Sequence, residues 1–345
     1  MTHQADGGPA RDRPATIYTV ADVAGVSHQT VSRYLKGESL RPENRARVEQ
    51  ALAKLDYQRN DVARALATRT YRRIGAFVFD VDDWAPQRVL SGAVEAARAA
   101  GFILDIVRVD PGDAASADQA VRLMNSTTLA GVVILSPSDP VLARLNPTRL
   151  KVPWVVEAEP DLSEATALAL EHPFGKVVDH LADLGHERFF HVGGPGTWLA
   201  ARNRLAAYRE RLRVRGLANC GETAGSWGAA AGYAAMGSFP RAAAPTAIVA
   251  ASDQLALGVL YWLHEHGVRV PGDVSVTGYD GIPDGAYFWP PLTTLSVDFA
   301  QIGRHTVEAL LSKQSLGSRP DIGGGPAARL VVRASTGVPG PGVNR

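Results

Sequence analysis

Cysteine is nearly absent from this sequence: Cys220 is the only one in 345 residues. No intrachain disulfide can form, which fits a reducing compartment and excludes a disulfide-stapled fold. Nothing beside Cys220 marks it as a reactive thiol, and it reads as a loop residue. Long apolar runs are missing too, and with them any membrane-spanning helix. Met1–Pro14 is polar and has no apolar centre, so it reads as an unordered tail and not as a secretion signal. The expected compartment is the cytoplasm.

Patterns that carry catalysis are also lacking. There is no Gly-x-Ser-x-Gly nucleophile elbow. His264-Glu-His266 has the wrong spacing to put two imidazoles on one helix face, and His172, His180, His186 and His191 are scattered. Asp80-Val-Asp-Asp83 follows a strand pattern without a Walker-type lysine. Gly193-Gly-Pro-Gly196 departs from the dinucleotide fingerprint, and Pro195 removes a donor, so it reads as a turn. No catalytic residue, metal site or cofactor is expected.

What is present begins with an uneven charge. Residues 11–73 hold thirteen Arg/Lys and seven Asp/Glu, a balance of +6, and the remainder balances to −5 within a net +1. A basic end on an acidic body suits contact with nucleic acid at that end.

Within it, the sequence predicts two short helices joined by a tight turn. Thr19 is the expected N-cap. Val20, Val23 and Ala24 form an apolar stripe, Gly25 ends the first helix, Val26 plugs the core, and Ser27 caps the second. Val31 and Leu35 point inward. Ser27, His28, Gln29, Thr30, Ser32 and Arg33 are left facing out or sideways, with no acid among them, whereas an ordinary solvated face carries Glu and Lys. Gln pairs with adenine and Arg with guanine in the major groove, while Ser and Thr near a helix N-terminus suit phosphate oxygens.

A third helix spans about 42–55, with Pro42 at its first position, Val48, Leu52 and Leu55 inward, and Arg41, Arg45, Arg47 and Lys54 giving a basic side. Asn60 can cap a fourth, with Val62, Ala63 and Leu66 on related faces. It is too short to be stable alone, and a leucine on such a helix can wedge open a minor groove.

The body alternates strands and helices from Ile74 to Val156, and the pattern restarts near Phe174. Such alternation implies right-handed crossovers and doubly wound parallel sheets, here two α/β lobes with a cleft between them. Ligands in these sheets sit beyond the C-terminal strand ends. The polar residues there are Asp80, Asp82, Asp83, Ser136, Ser138, Glu157, Ser252, Asp253 and Asp280.

Several blocks together resemble the LacI family of bacterial transcription regulators over residues 18–337. They are Val20–Ser27, Thr30–Arg33, Asn60 with Ala63 and Leu66, His186 in Leu-Gly-His-Glu-Arg, Ser252–Gly258, Val276–Asp280 and Pro290–Thr294. The resemblance implies an all-α helix-turn-helix domain with a hinge helix, followed by a two-lobed body like the periplasmic sugar-binding proteins. Its implied boundaries are a tail to 15, a helix-turn-helix at 16–58, a hinge at 59–71, a body at 72–337 and a tail at 338–345. Lobe 1 would comprise about 72–170 with 298–325, and lobe 2 about 171–297 with 326–337.

By position the family implies His28, Gln29 and Arg33 as base readers and Tyr18, Ser27, Thr30, Asn44 and Tyr57 as phosphate contacts. Paired hinge helices would insert Leu66 into double-stranded operator DNA. In the cleft, Arg204 falls at the ligand-binding arginine, Asp280 at an aspartate that holds sugar hydroxyls, and Trp227 at a stacking aromatic. Glu157 replaces an aspartate of a sugar-responsive member. Asp80, Ser252 and Asp253 are further candidates, and Trp84 is a second stacking face. That member also carries asparagine at position 252 and glutamine at 297, where this chain has Ser252 and Val297, which shortens the hydrogen-bonding reach.

The implied function is a repressor of a carbohydrate-utilisation operon, released from a palindromic operator by a small sugar-type effector. Its tail, Thr336–Arg345, lacks the leucine heptads of tetrameric members and cannot form a coiled coil, so a homodimer without membrane attachment is expected. A co-repressed regulator or an activator shares the same pattern. A sugar-binding transport protein would need an export signal and no basic head. A glycoside-acting enzyme would need a catalytic carboxylate pair or a metal.

Overall fold

The computed structural model describes residues 15–57, 72–79, 83–110, 113–157, 161–162, 165–316 and 327–340. The chain divides into two compact units, Met1–Thr70 and Tyr71–Arg345.

Among its described residues the first unit is helical. Helices α1 (Ile17–Ala24), α2 (His28–Leu35) and α3 (Pro42–Lys54) enclose a small core of Val20, Ala21, Ala24, Val31, Val48 and Ala51. The start of α1 differs from the expected one: Thr16 is the N-cap, and Thr19 completes a reciprocal capping box with it. Each threonine satisfies a donor at the other's position, so spacing alone does not say which is the cap. Gly25 ends α1 in the left-handed region. Ser27 caps α2 through the Thr30 amide at 3.2 Å. Val23 is largely exposed and not part of the buried stripe, because Ala21 takes the inward place. The expected hinge helix with Asn60, Ala63 and Leu66 lies outside the described residues.

The second unit holds two sheets. In the first, β1 (Arg73–Val78), β2 (Ile103–Arg108), β3 (Gly131–Ile134) and β4 (Trp154–Val156) run parallel in the order β2-β1-β3-β4. Helices α4 (Trp84–Ala99), α5 (Ala114–Ser126) and α6 (Asp139–Leu145) connect them. After α7 (Thr166–Glu171) and α8 (Gly175–Asp183) comes a second sheet. Its strands are β5 (Arg188–Gly193), β6 (Ala218–Ala224), β7 (Ala247–Ala250), β8 (Ser275–Asp280), β9 (Thr293–Val297) and β10 (Ala328–Val331), in the order β10-β9-β8-β7-β5-β6. All run parallel except β10, which pairs antiparallel with β9 at the edge. Cys220 lies on β6 and not in a loop.

Helices α9 (Leu199–Arg215), α10 (Ala229–Ala235) and α11 (Asp253–Glu265) belong to the second lobe. The last helix, α12 (Phe299–Leu316), returns to the first lobe and packs along α4. The two backbones come so close that a Cβ on Gly92 or Gly303 would collide with the carbonyl of Ala300 or Val89. One continuous core runs through both lobes, from Ile74, Ala76 and Val89 to Phe174, Phe189 and Tyr208. Burying continuous apolar strands on both faces is what a parallel sheet requires.

Candidate functional site

On the helical unit, the outer face of α2 presents His28, Gln29 and Arg33 to solvent. The Tyr18 ring lies 5.3 Å from the His28 ring. Arg33 is held back: its Nε donates to Glu38 Oε2 at 2.9 Å and its Nη2 to the Ser39 carbonyl at 3.2 Å. The Ser27 and Thr30 hydroxyls are 3.0 Å apart at the start of α2. Asn44 and Tyr57 are half-buried, and Tyr57 packs against the helical core. His28, Gln29, Arg33, Ser27, Thr30 and Tyr18 thus sit on or beside one short helix, with free backbone amides at its start. An exposed helix of this composition suits a major groove.

In the larger unit a cavity opens between the lobes where the strands end, with an empty volume of about 1180 Å³, part of it open solvent. Asp83 and Trp84 enter it from the start of α4, Ser136 and Glu157 follow β3 and β4, and Arg204, Trp227, Ser252 and Asp280 come from the second lobe. Asp80 and Asp82 lie outside the described residues.

Arg204 is the centre of the second-lobe wall. Its Nη1 donates to the Ala251 carbonyl at 2.6 Å and sits 3.6 Å from Asp280 Oδ1. The guanidinium lies over the Tyr279 ring at 4.0 Å and near the Trp227 ring at 5.1 Å. Trp227 reaches this position because Gly194 has no side chain; a Cβ there would run into the indole. Asp280 closes β8 in a left-handed conformation, φ 114°. Its Oδ1 is buried, and among the described residues no hydrogen bond reaches it. Burial pushes its carboxyl well above the usual carboxylate range, and the positive charge of Arg204 only partly opposes this. A buried acceptor without a donor is costly.

Across the cavity, Ser136 also has a positive φ of 49°. Its amide and hydroxyl donate to Glu157 Oε2 at 2.8 and 3.1 Å, which fixes that carboxylate in the wall. Ser252 caps α11 by accepting from the Leu255 amide at 3.1 Å while still lining the cavity.

Asp253 does not join this wall. It is fully buried, and its carboxylate accepts from the Thr294 hydroxyl at 2.5 Å and the Gly281 and Ile282 amides at 2.9 and 2.8 Å. Burial raises its pKa to about 6 against those donors. Its role is to pin the turn that carries Asp280. Val297 faces the core.

The structure adds residues that the sequence did not flag. Trp198, Phe299 and Ile302 line the cavity, and the Trp198 ring stands edge-on to Trp227 at 6.3 Å and 87°. Trp198 follows β5, so the strand-end rule could have found it. Phe299 and Ile302 arrive through the return of α12, which no local signal announces. At the rim, Arg202 Nη1 bonds Asp139 Oδ2 at 2.7 Å, joining α9 to α6 across the lobes.

Among the described residues no helix is long and apolar enough to cross a membrane. Comparisons with known proteins place this geometry. Residues 16–60 match the family described as bacterial regulatory proteins, lacI family, and residues 178–336 match a periplasmic binding protein-like domain. The lactose operon repressor of Escherichia coli is 32% identical over 304 residues, spanning 87% of this chain and 84% of that protein. The HTH-type transcriptional repressor PurR of Photobacterium profundum is 28% identical, covering 87% and 92%. A crystal structure of the lac repressor dimer bound to operator and the anti-inducer ONPF superposes with a TM-score of 0.79 at 30% identity, covering 94% of this chain and all of that one. Those relatives are transcriptional repressors and not enzymes. The chain therefore belongs to the LacI family of bacterial regulatory proteins and is a DNA-binding transcriptional repressor of that family.

Proposed function

We propose that the protein is a homodimer that represses carbohydrate-utilisation genes and leaves a pseudo-palindromic operator when a small sugar-type effector fills the inter-lobe cavity. The observation that carries the effector half is the Arg204–Asp280 pair, with a buried carboxylate oxygen in the cavity wall that lacks a donor. Sugar hydroxyls both donate and accept, and so can satisfy Asp280 and Glu157. Indole faces suit the apolar faces of pyranose rings. The DNA half rests on α2, where His28, Gln29 and Arg33 are the proposed base readers. Tyr18, Ser27, Thr30, Asn44 and Tyr57 are the proposed phosphate contacts. The helix-turn-helix is assigned to 16–58, the hinge to 59–71 with Asn60, Ala63 and Leu66, and the effector body to 72–337.

Exposed apolar side chains support self-association. Leu257 and Tyr261 lie one turn apart on α11, and the Tyr233 ring is 5.8 Å from that of Tyr261. The lac repressor in its operator complex is a dimer. Release follows if the effector binds one body state more tightly than the other. A coupling of about 1–3 kcal/mol changes operator affinity roughly 5- to 150-fold.

The test is an operator titration with DNA from upstream of the neighbouring genes, with and without sugars, on wild type and Arg204→Ala. Release of the wild type by a sugar, absent in the variant, supports the reading. A variant that responds at the wild-type ligand concentration removes Arg204 from the site.

A further inference from the structure

We infer that the Arg202–Asp139 ion pair is a latch across the mouth of the cavity, one that must open each time a ligand enters or leaves. The inference rests on the reading of the cavity as the effector site, and its first measurement needs no ligand.

Several bonds join the lobes at this one point. Asp139 begins α6 in the first lobe and lines the cavity, whereas Arg202 is on α9 in the second. Arg202 Nη1 donates to Asp139 Oδ2 at 2.7 Å, and its Nη2 to Asp139 Oδ1 at 3.4 Å. A planar guanidinium that grips both carboxylate oxygens fixes direction as well as distance. The backbone closes the same gap, for the Asp139 amide donates to the Thr197 carbonyl at 3.0 Å. Thr197 precedes Trp198, which lines the cavity. Arg202 Nη1 also holds this turn, through the Gly196 carbonyl at 3.0 Å. The turn Gly193-Gly-Pro-Gly196, which carries no nucleotide fingerprint, thus leads into the receiving side of the latch.

The position of Arg202 on α9 ties the mouth to the rest of the body. Three consecutive residues there have three tasks. Arg202 reaches the rim, and its Nη2 also meets Asp161 Oδ2 at 3.3 Å, in the segment that crosses from the first sheet to the second. Asn203 is fully buried and accepts from the Leu162 amide of that same segment at 3.0 Å. Arg204 forms the cavity wall with Ala251 and Asp280. Successive residues of a helix point about 100° apart, so one turn of α9 faces mouth, crossover and wall together.

The pair is open to solvent on its outer side, the Arg202 side chain being 26% exposed and that of Asp139 58%. Its strength is therefore limited and sensitive to salt, as a gate requires. Such a latch has a kinetic signature. It is shut before a ligand enters and again afterwards, so it stabilises both forms alike. Its loss speeds entry and exit by one factor and leaves Kd unchanged. Loss of a ligand contact speeds exit alone and raises Kd.

The experiment compares the full-length protein with Arg202→Met, Asp139→Asn and the double variant. Hydrogen exchange in the peptide around Asp139, where Pro137 and Pro140 carry no amide hydrogen, reports on the rim. Each single variant should exchange there about three- to fivefold faster, and the double variant no faster than Arg202→Met. Salt at about 1 M should bring the wild type close to the variants. Arg202→Lys, which keeps the charge without the fork, should fall between. Unchanged exchange, or single effects that multiply in the double variant, overturns the latch. Exchange in the buried strands β7 and β8 should stay as in the wild type, and a rise there as well is general loosening and also overturns it. Stopped-flow tryptophan fluorescence with lactose and cellobiose as probes then follows entry and exit. Both rates should rise in Arg202→Met by the factor seen in exchange, with Kd kept within about twofold. A Kd weakened as much as the exit rate rises makes Arg202 a ligand contact and overturns the inference. If neither sugar changes the fluorescence, the effector reading loses its support, while the exchange data still decide the latch.

Discussion

Two arginines, Arg33 and Arg204, show how the two units use one side chain in opposite ways. The Arg33 side chain is 56% exposed and pairs with Glu38, itself 46% exposed. Arg204 is 7% exposed and pairs with Asp280 at 8%. Water and salt screen the first pair, and it contributes little to stability. The second pair is desolvated, so each charge depends on the other. Arg33 can exchange Glu38 for another acceptor at small cost, which suits the base-reading role proposed for it. Arg204 is a fixture, held over Tyr279 to present a shaped wall. In the proposed function, recognition in the head would depend on exchange, and recognition in the cavity on preorganisation.

The largest test of this contrast is Arg204→Ala. It removes the cation that favours the ionised form of Asp280, whose carboxyl burial already pushes up, so the side chain takes up a proton and stability should fall by about 1–3 kcal/mol, measured by denaturant unfolding. The double change Arg204→Met with Asp280→Leu should recover part of the loss, and a double variant no more stable than Arg204→Ala would break the contrast.

A second test concerns burial behind the same wall. His191 lies between Phe174 and Tyr208 with its Nδ1 bonded to the Val249 carbonyl, and burial pushes its pKa down to about 4. The unfolded chain takes up this proton near pH 6.5 and the folded chain only near 4. The neutral imidazole's contribution is therefore complete above pH 6.5 and lost as pH falls towards 4, by roughly 3 kcal/mol. His180 and His186 shift in the same direction, also through burial. Asp253 and Asp280 shift upward, and their contribution fades instead as pH rises through their folded values. Melting temperatures at pH 7 and pH 5 should show that His191→Asn is less sensitive to acid than wild type. An unchanged difference between the two pH values rules His191 out as the source.

Arg33→Ala should cost about 1–3 kcal/mol of operator affinity and relax preference at one base pair. A binding-site selection with an unaltered consensus would remove Arg33 from base readout. The smallest effect belongs to Glu38→Ala, which should change stability by less than about 1 kcal/mol. It should also tighten operator binding slightly by freeing Arg33. Weaker binding would show that Glu38 orients the arginine rather than competing for it.

Much of the fold was legible because local chemistry marks it. Gly25, Ser27 and Pro42 stand where the structure uses them, and the strand ends led directly to Glu157, Ser252 and Asp280. Misses arose where distant residues decide. Asp253 looks identical to Ser252 as a strand-end polar residue, but Thr294 and the Gly281 and Ile282 amides draw its carboxylate away from the cavity. Phe299 and Ile302 became cavity residues only because α12 crosses back to the first lobe. The sequence shows Arg33 as an outward side chain but not the Glu38 contact that restrains it, since a flexible pair five residues apart leaves no periodic signature.

The contact between α4 and α12 has a mechanical consequence. With backbone against backbone at Gly92 and Gly303, there is no side-chain cushion between the helices, and neither can slide or tilt alone. Trp84 and Val89 on one, and Phe299 and Ile302 on the other, therefore move as a single plate. Phe299 lies two residues beyond the end of β9, so this plate is tied directly to an inner strand of the opposite lobe's sheet.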